Sequence, residues 1–504
     1  LFNYRYSTLA LLNPILPPEA GTISYQDFSF KLNFPNQKIG TFSFWGLGST
    51  DKQVHNPIDD SAKWKQNADL LYYKTVAGMG ATGITYKKLL GVKTNINANI
   101  AVSGNGLSWN EKKFDSLMII QPSSIVINDN LRLIGSLTVN RKINNRISLK
   151  TGGILTHSFY RLKIEEAPEI GDAMQIFVNR DGKTDKIQAF TQTKISFTDE
   201  LSMNAGIHLQ YYDLIKHTSI EPRIGVRWNF MPYNTLSFAY GQHSQTEPSS
   251  FYLAEVSNGN ITGVPNIGLD FTKARHFVVG YELQLTKYTR LKLEPYYQYL
   301  YSVPVINGSY YSLQNVEAEW FFNDTLKNAG IGHNVGLDIT LEQFLNKGFY
   351  YLVTASIFDS RYKGGDGIER ETRFNKKYVV NLLAGKEWMV GKEKRNSFSF
   401  NARLSLLGGD RTTPVLMDQS EAMQDVVYDY TNAFSTKKPD AQILSFSVNY
   451  RINKEKHSSF WSLHIINALM QKEFEGYEYN LVAHKVEKQE DPFFIPYISY
   501  KLEF

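Results

Sequence analysis

The chain has 504 residues, a formal net charge of +5, 42% hydrophobic residues, no cysteine, and 31 Tyr and 31 Phe. The charge is too small and too spread to mark a nucleic-acid partner, and the lack of cysteine excludes disulfides and thiol chemistry. No run of about 18 apolar residues occurs, so no helical membrane span is expected.

Alternation of apolar and polar residues begins almost at once, and a first strand is expected near Phe2–Leu12. Phe28, Phe30, Leu32 and Phe34 then alternate with Ser29, Lys31 and Asn33. The pattern returns at Phe277–Leu285, Val335–Leu341, Phe398–Leu406 and Leu444–Ile452. It closes the chain in Ile495–Phe504, where Ile498, Tyr500, Leu502 and Phe504 share one side of an extended strand. Tyr497, Ser499, Lys501 and Glu503 share the other side. Such segments run on the order of ten residues, the length a tilted strand needs to cross a bilayer. The aromatic excess suits girdles at the two membrane interfaces. Hydrocarbon satisfies no backbone hydrogen bond, so among strand-built spans only a closed barrel is viable. The expected fold is therefore all-β, a transmembrane antiparallel barrel occupying residues 1–504.

The links between strands alternate in length. Short polar turns are expected at Pro35–Gly40, Gly91–Asn95, Asn140–Asn145, Thr198–Glu200, Met231–Asn234, Lys287–Arg290, Leu345–Gly348, Gly391–Asn396 and Asn453–His457. Long stretches are expected at Ser49–Leu70, Asn110–Ser124, Arg161–Asp185, Glu247–Lys273, Ile306–Asn328, Gly408–Ala441 and Lys472–Pro492. In outer-membrane barrels the short turns are periplasmic and the long loops extracellular. Counting between turns gives about twenty strands, with Phe504 at the periplasmic end. Plugged monomeric transporters close at twenty-two. With no Met, signal peptide or plug-like region before the first strand, the expectation is a twenty-two-strand barrel that lacks about two strands and its upstream region. A complete twenty-strand barrel is the alternative.

The segments L-F-N-Y-R-Y-S-T-L (Leu1–Leu9), F-K-L-N-F-P-N-Q-K-I-G-T-F-S-F-W-G (Phe30–Gly46), Y-G-Q-H-S-Q-T-E-P (Tyr240–Pro248) and Y-Y-Q-Y-L-Y-S-V-P-V (Tyr296–Val305) carry a family resemblance. So do R-F-N-K-K-Y-V-V-N-L-L-A-G-K-E-W (Arg373–Trp388) and Y-R-I-N-K-E-K-H-S-S-F-W-S-L (Tyr450–Leu463). Together they resemble the barrels of Bacteroidota TonB-dependent receptors of the group with a carboxypeptidase-regulatory-like domain ahead of the plug. The terminal aromatic strand (Ile498, Tyr500, Leu502, Phe504) resembles the insertion signal of outer-membrane barrels. Within Leu463–Lys472 only Asn467 plainly matches the family pattern. The resemblance implies a multi-pass barrel of the outer membrane that imports a nutrient ligand with energy delivered through TonB. The implied partners are membrane lipid and lipopolysaccharide, the TonB complex through a region outside these residues, and a surface lipoprotein or larger outer-membrane complex. A plugless barrel serving as a structural subunit of an assembly is the second function class.

No set of residues points to catalysis, a cofactor or a metal, so none is expected. Gly78-Met79-Gly80-Ala81-Thr82-Gly83 matches G-x-G-x-x-G but lacks the following helix of a dinucleotide site, and reads more simply as small residues facing a plug. His243, Ser244 and Glu247 are too close in sequence to converge on an extended strand. Asp366, Glu369 and Glu371 carry oxygen ligands that suit calcium, although a solvated acidic loop explains them as well. For ligand binding, Glu247, Phe251, Tyr252, Trp320 and Phe322 are the candidates, since aromatic faces with a few polar groups make a pocket, while any one of these aromatics reads more simply as outer girdle or loop core. Glu282, Glu294, Asp338, Glu342, Arg403 and Arg451 are expected to face the lumen or a plug, because charge facing lipid is costly.

Overall fold

The computed structural model describes residues 1–504 except 7–21, 116, 259–260 and 317–318. Its main sheet holds twenty strands that follow the chain. They are β1 Phe2–Tyr6, β2 Thr22–Asn36, β3 Gly40–His55, β4 Leu71–Leu90, β5 Thr94–Phe114, β6 Ile120–Lys142 and β7 Ile147–Glu166. Next come β8 Gln175–Ser196, β9 Leu201–Tyr212, β10 His217–Met231, β11 Asn234–Gln245, β12 Thr272–Thr286, β13 Thr289–Ile306 and β14 Leu326–Asn346. The last are β15 Phe349–Lys363, β16 Tyr378–Val390, β17 Asn396–Leu407, β18 Ala441–Asn453, β19 Ser458–Ile466 and β20 Ile495–Glu503. A short strand, Glu369–Glu371, adds to β15 as the twenty-first member. Every neighbouring pair is antiparallel and sequential, which is the up-and-down barrel connection. Among the described residues no helix is long and apolar enough to cross a membrane.

Register fixes which side chains share a face, since a slip of one residue would invert the whole set. Phe398 lies opposite Tyr450, Phe400 opposite Val448 and Leu404 opposite Leu444. A row of aromatic residues crosses five strands on this outer face: Trp388, Phe398, Tyr450, Trp461 and Tyr500. Ring centroids of Trp461 and Tyr500 lie 4.5 Å apart. It lies toward the short-turn end, where an aromatic girdle belongs. The inner face is polar. Asn401 donates to Ser447 at 3.1 Å, Asn449 to Ser399 at 3.1 Å, and Arg451 pairs with Glu503 at 2.8 Å.

All nine expected short turns fall between strands. Several long stretches are shorter than expected, because strands run on past the bilayer. Arg161–Glu166 and Gln175–Asp185 belong to β7 and β8, and Asn110–Phe114 belongs to β5. Those residues keep the alternation, but charged residues in it read as loop. β4 to β8 have 20, 21, 23, 20 and 22 residues, whereas β18, β19 and β20 have 13, 9 and 9. The glycine motif is corrected too. Gly80 lies opposite Gly48 and Gly104, on the outer face shared by Phe44, Ile84 and Ile100. Gly78 and Gly80 therefore face away from the lumen. Only Gly83 is on the inner side, where a Cβ would meet the Trp45 ring at 2.9 Å.

Among the described residues β1 pairs only with β2 and β20 only with β19, so neither outermost edge pairs with the other. Above them the outer loops make contact. Strands Lys472–Asn480 and Lys485–Pro492 form a hairpin, and Leu481 in its turn donates from its amide to the Lys65 carbonyl at 2.9 Å. Phe504 follows β20 at the short-turn end, as expected.

Two consequences are measurable. Phe400→Arg, outward in the bilayer, is expected to cost about 2–4 kcal/mol of unfolding free energy in liposomes, and an unchanged value would contradict the facing. At Gly365 a Cβ would lie 1.9 Å from the Ile306 carbonyl oxygen, and at Gly409 1.8 Å from that of Lys438. Gly365→Ala or Gly409→Ala should therefore cost roughly 1–3 kcal/mol through displaced backbone, with amide exchange rising first in residues 306–309 or 437–440.

Candidate functional site

The outer loops fold inward into a roof, and two aromatic-rich loops form its densest part. The segment after β11 makes the short helix Ser249–Tyr252, and the segment after β13 carries Tyr311, Trp320 and Phe322. Phe251 packs edge-on to Phe322 with ring centroids 5.0 Å apart, and Tyr311 stacks on Phe322 at 5.6 Å. Ile215, Leu269, Phe271 and Leu326 complete the cluster. A loop of this size holds its shape only by burying such side chains, because its backbone has no ladder to satisfy it.

Phe251, Tyr252 and Phe322, expected to contact ligand, are 2%, 0% and 3% exposed. They are the core of the roof; Phe251 also lines the cavity beneath it, whereas Tyr252 and Phe322 support the roof from behind. Apolar burial decides their place, and a sequence shows no difference between an aromatic that stacks on a ligand and one that stacks on another loop. Tyr252 instead fixes the neighbouring acid: its hydroxyl accepts from the Glu247 amide at 2.9 Å. Glu247 and Trp320 border a cavity of about 730 Å³ beneath the roof.

The far wall of that chamber is the inner face of β5 to β9. Arg132 donates to Asn105 at 3.2 Å and Asn130 to Asn128 at 2.9 Å, with Tyr160, Lys186 and Tyr212 beside them. The Thr184 hydroxyl is buried in the same wall and has no hydrogen-bond partner among the described residues. Nor does the Lys186 ammonium make an ion pair among them. These wall residues were missed at the level of sequence, although they sit at alternate positions of long strands and register alone assigns them inward. Two acids face them from the roof. Burial pushes the Glu247 carboxyl up, opposed by a hydrogen bond from Thr272. Burial likewise raises Glu319, with the nearby Asp324 charge adding to it and the Tyr311 hydroxyl opposing.

The other candidates are placed as follows. Glu282, Glu294, Asp338, Glu342, Arg403 and Arg451 share the inner-face register. Arg290 joins two of them, at 3.8 Å to Glu282 and 2.8 Å to Glu342, and Lys292 pairs with Glu294 at 2.7 Å. Asp366, Glu369 and Glu371 do not converge. Asp366 pairs with Arg370 at 2.8 Å, Glu369 with Arg361 at 3.7 Å, and Glu371 with Lys377 at 2.5 Å and Arg411 at 2.6 Å. Among the described residues no three metal-ligating groups come together. His243, Ser244 and Glu247 diverge: Ser244 donates to Glu221 at 2.5 Å, the His243 ring lies 4.8 Å from His276, and Glu247 accepts from Thr272. The arrangement is suited to holding a solute between a polar wall and an aromatic roof.

No curated protein matches the chain. Solved structures similar to it share its fold at low identity. The ferric-catecholate import receptor Fiu from K12 E. coli superposes with a TM-score of 0.67 at 12% identity, covering 96% of this chain and 75% of that one. The ferric yersiniabactin uptake receptor FyuA from Yersinia pestis gives 0.66 at 11% identity, over 95% and 71%. The RagAB peptide transporter gives 0.63 at 10% identity, over 95% and 72%. The family model described as TonB dependent receptor-like, beta-barrel, matches residues 16–468. The chain thus belongs to the TonB-dependent receptor family, as one of its outer-membrane β-barrels.

Proposed function

We propose that this barrel is the membrane part of an energised importer, and that the chamber between the Glu247 and Trp320 loops and the wall of β5 to β9 is where a nutrient ligand is first held. The roofed chamber carries this reading. Its volume of about 730 Å³ lies in the range of small-molecule sites, and it combines one aromatic side with a few directed polar groups. The unpartnered Thr184 hydroxyl and the Lys186 ammonium are groups a ligand would satisfy. Coupling would come from a plug-type domain in the lumen and from TonB. The family supports that class of transport, and the resemblance to Bacteroidota receptors makes a surface lipoprotein a further partner.

The test is binding by the purified chain in detergent, read as thermal shift against ferric catecholates, ferric hydroxamates, oligopeptides and oligosaccharides. One class should stabilise the barrel, and Arg132→Ala with Lys186→Ala should weaken it about tenfold or more. A ligand that binds both variants as tightly as the parent would place the site elsewhere.

The roof should also respond to pH. A carboxyl whose folded pKa is raised stabilises the fold fully below its ordinary value, 4.5 for Glu247 and Glu319, and that contribution is lost as pH rises through the raised value. Amides of residues 247–253, corrected for intrinsic exchange, should lose protection as pH climbs above 4.5. Glu247→Gln should flatten that dependence, and an unchanged profile would show that the carboxyl does not govern the roof.

A further inference from the structure

We infer that the inner wall of β6 to β10 is an anion-binding strip that runs from the chamber to the periplasmic mouth, and that it takes a transiting ligand carrying several carboxylates or phosphates. The inference rests on the barrel being a conduit. It concerns wall positions below the chamber.

One register row makes the strip continuous. Asn140 lies opposite Lys150, Lys150 opposite Gln192, Gln192 opposite Gly206, Gly206 opposite Arg223, and Arg223 opposite Gly241. All these residues share the inner face. Arg223 thus stands between two glycines, and a Cβ at Gly206 would meet the Thr191 carbonyl oxygen at 2.8 Å. Their missing side chains open a notch of about 690 Å³ that includes Lys150 and Arg223 in its lining. Toward the short turns the next inner pairs are Lys142 with Ser148, and Ser148 with Lys194. Lys142, Lys150 and Lys194, with Lys93 from the adjoining turn, line a second cavity of about 450 Å³. No acidic residue lines it, and none of these four lysines has an ion pair among the described residues. Toward the roof the strip meets Arg132 and Lys186 in the chamber.

Among the described residues, the acid that reaches the notch residues Arg223 and His208 is Glu221, and it is already engaged. Glu221 is 2% exposed and accepts from Arg223 at 2.8 Å, Gln210 at 2.8 Å and Ser244 at 2.5 Å, with Ser219 at 3.3 Å and His208 at 3.1 Å. It offsets one cation and leaves the lysines below unopposed. The β12 to β14 sector of the same wall differs. There Arg290, Glu282 and Glu342, and Lys292 and Glu294, neutralise one another. Of these two sectors the β6 to β10 wall alone keeps unpaired positive charge, where walls of low dielectric focus its field.

The probes are tripolyphosphate and hexaglutamate, titrated calorimetrically into the detergent-solubilised chain at low salt. Both should bind, hexalysine should not, and binding should fade toward 1 M salt, where the screening length is about 3 Å. The combined variant Lys142→Gln, Lys150→Gln, Lys194→Gln should lose roughly tenfold or more in affinity. Lys292→Gln, in the ion-paired sector, should lose nothing. Absence of polyanion binding, or equal binding by the triple variant with unchanged thermal unfolding, overturns the strip. The natural full-length polypeptide distinguishes the occupant. If it binds the probes as the chain does, a transiting ligand is supported. If it does not, an acidic face of its own lumen domain covers the strip, and the ligand assignment fails. Failure of the import reading would show separately, as chamber variants that leave ligand binding intact.

Discussion

In bilayer hydrocarbon an unpaired backbone amide or carbonyl finds no water, and each such group costs several kcal/mol. Sequential antiparallel pairing from β1 to β20 answers that demand strand by strand, and almost everything else follows from it. Pairing imposes the two-residue side-chain period, the period divides the chain into an aromatic outer face and a polar inner face, and the inner face becomes the wall on which any solute must travel. The row from Trp388 to Tyr500 and the row from Asn140 to Gly241 are two products of one register.

The membrane-embedded part was therefore legible from residues alone. Phe398, Phe400 and Tyr450 alternate with Asn401, Asn449 and Arg451 without interruption, and the turns at Met231–Asn234 or Leu345–Gly348 punctuate the pattern with residues that favour tight reversals. The roof was not legible, because its order comes from contacts between segments far apart in the chain. Phe251 and Phe322 meet across 70 intervening residues, and nothing local to either announces the other. The wall of the chamber failed for a different reason. Lys163, Lys183 and Asp185 made β7 and β8 look like loop where they continue as strand beyond the lipid, so Thr184 went unassigned, and Arg132 and Lys186 carry no local signal of the chamber they border.

Individual inward charges could be named from the sequence, but not their grouping around the barrel. A net charge of +5 looks diffuse, yet register gathers Lys142, Lys150 and Lys194 into one sector and lets Arg290 cancel Glu282 and Glu342 in another. A one-residue slip in register would turn the same side chains toward lipid. Local sequence sets how much charge a barrel carries, and strand pairing decides where its field points.

The strands of β4 to β8 are about ten residues longer than a bilayer crossing requires, whereas β19 and β20 stop near that length. At about 3.3 Å per residue, one flank of the mouth is a tall ladder held by paired backbone bonds on both edges. The opposite flank is built from folded loops such as residues 408–440 and the hairpin of Lys472–Asn480 and Lys485–Pro492. Moving the first flank means unzipping a sheet. Moving the second breaks side-chain contacts and a few loop hydrogen bonds such as Leu481 to Lys65, and local opening is drawn from the least stable elements. The mouth is thus lopsided in stiffness, a compliant lip of loops facing a rigid backstop of paired strands.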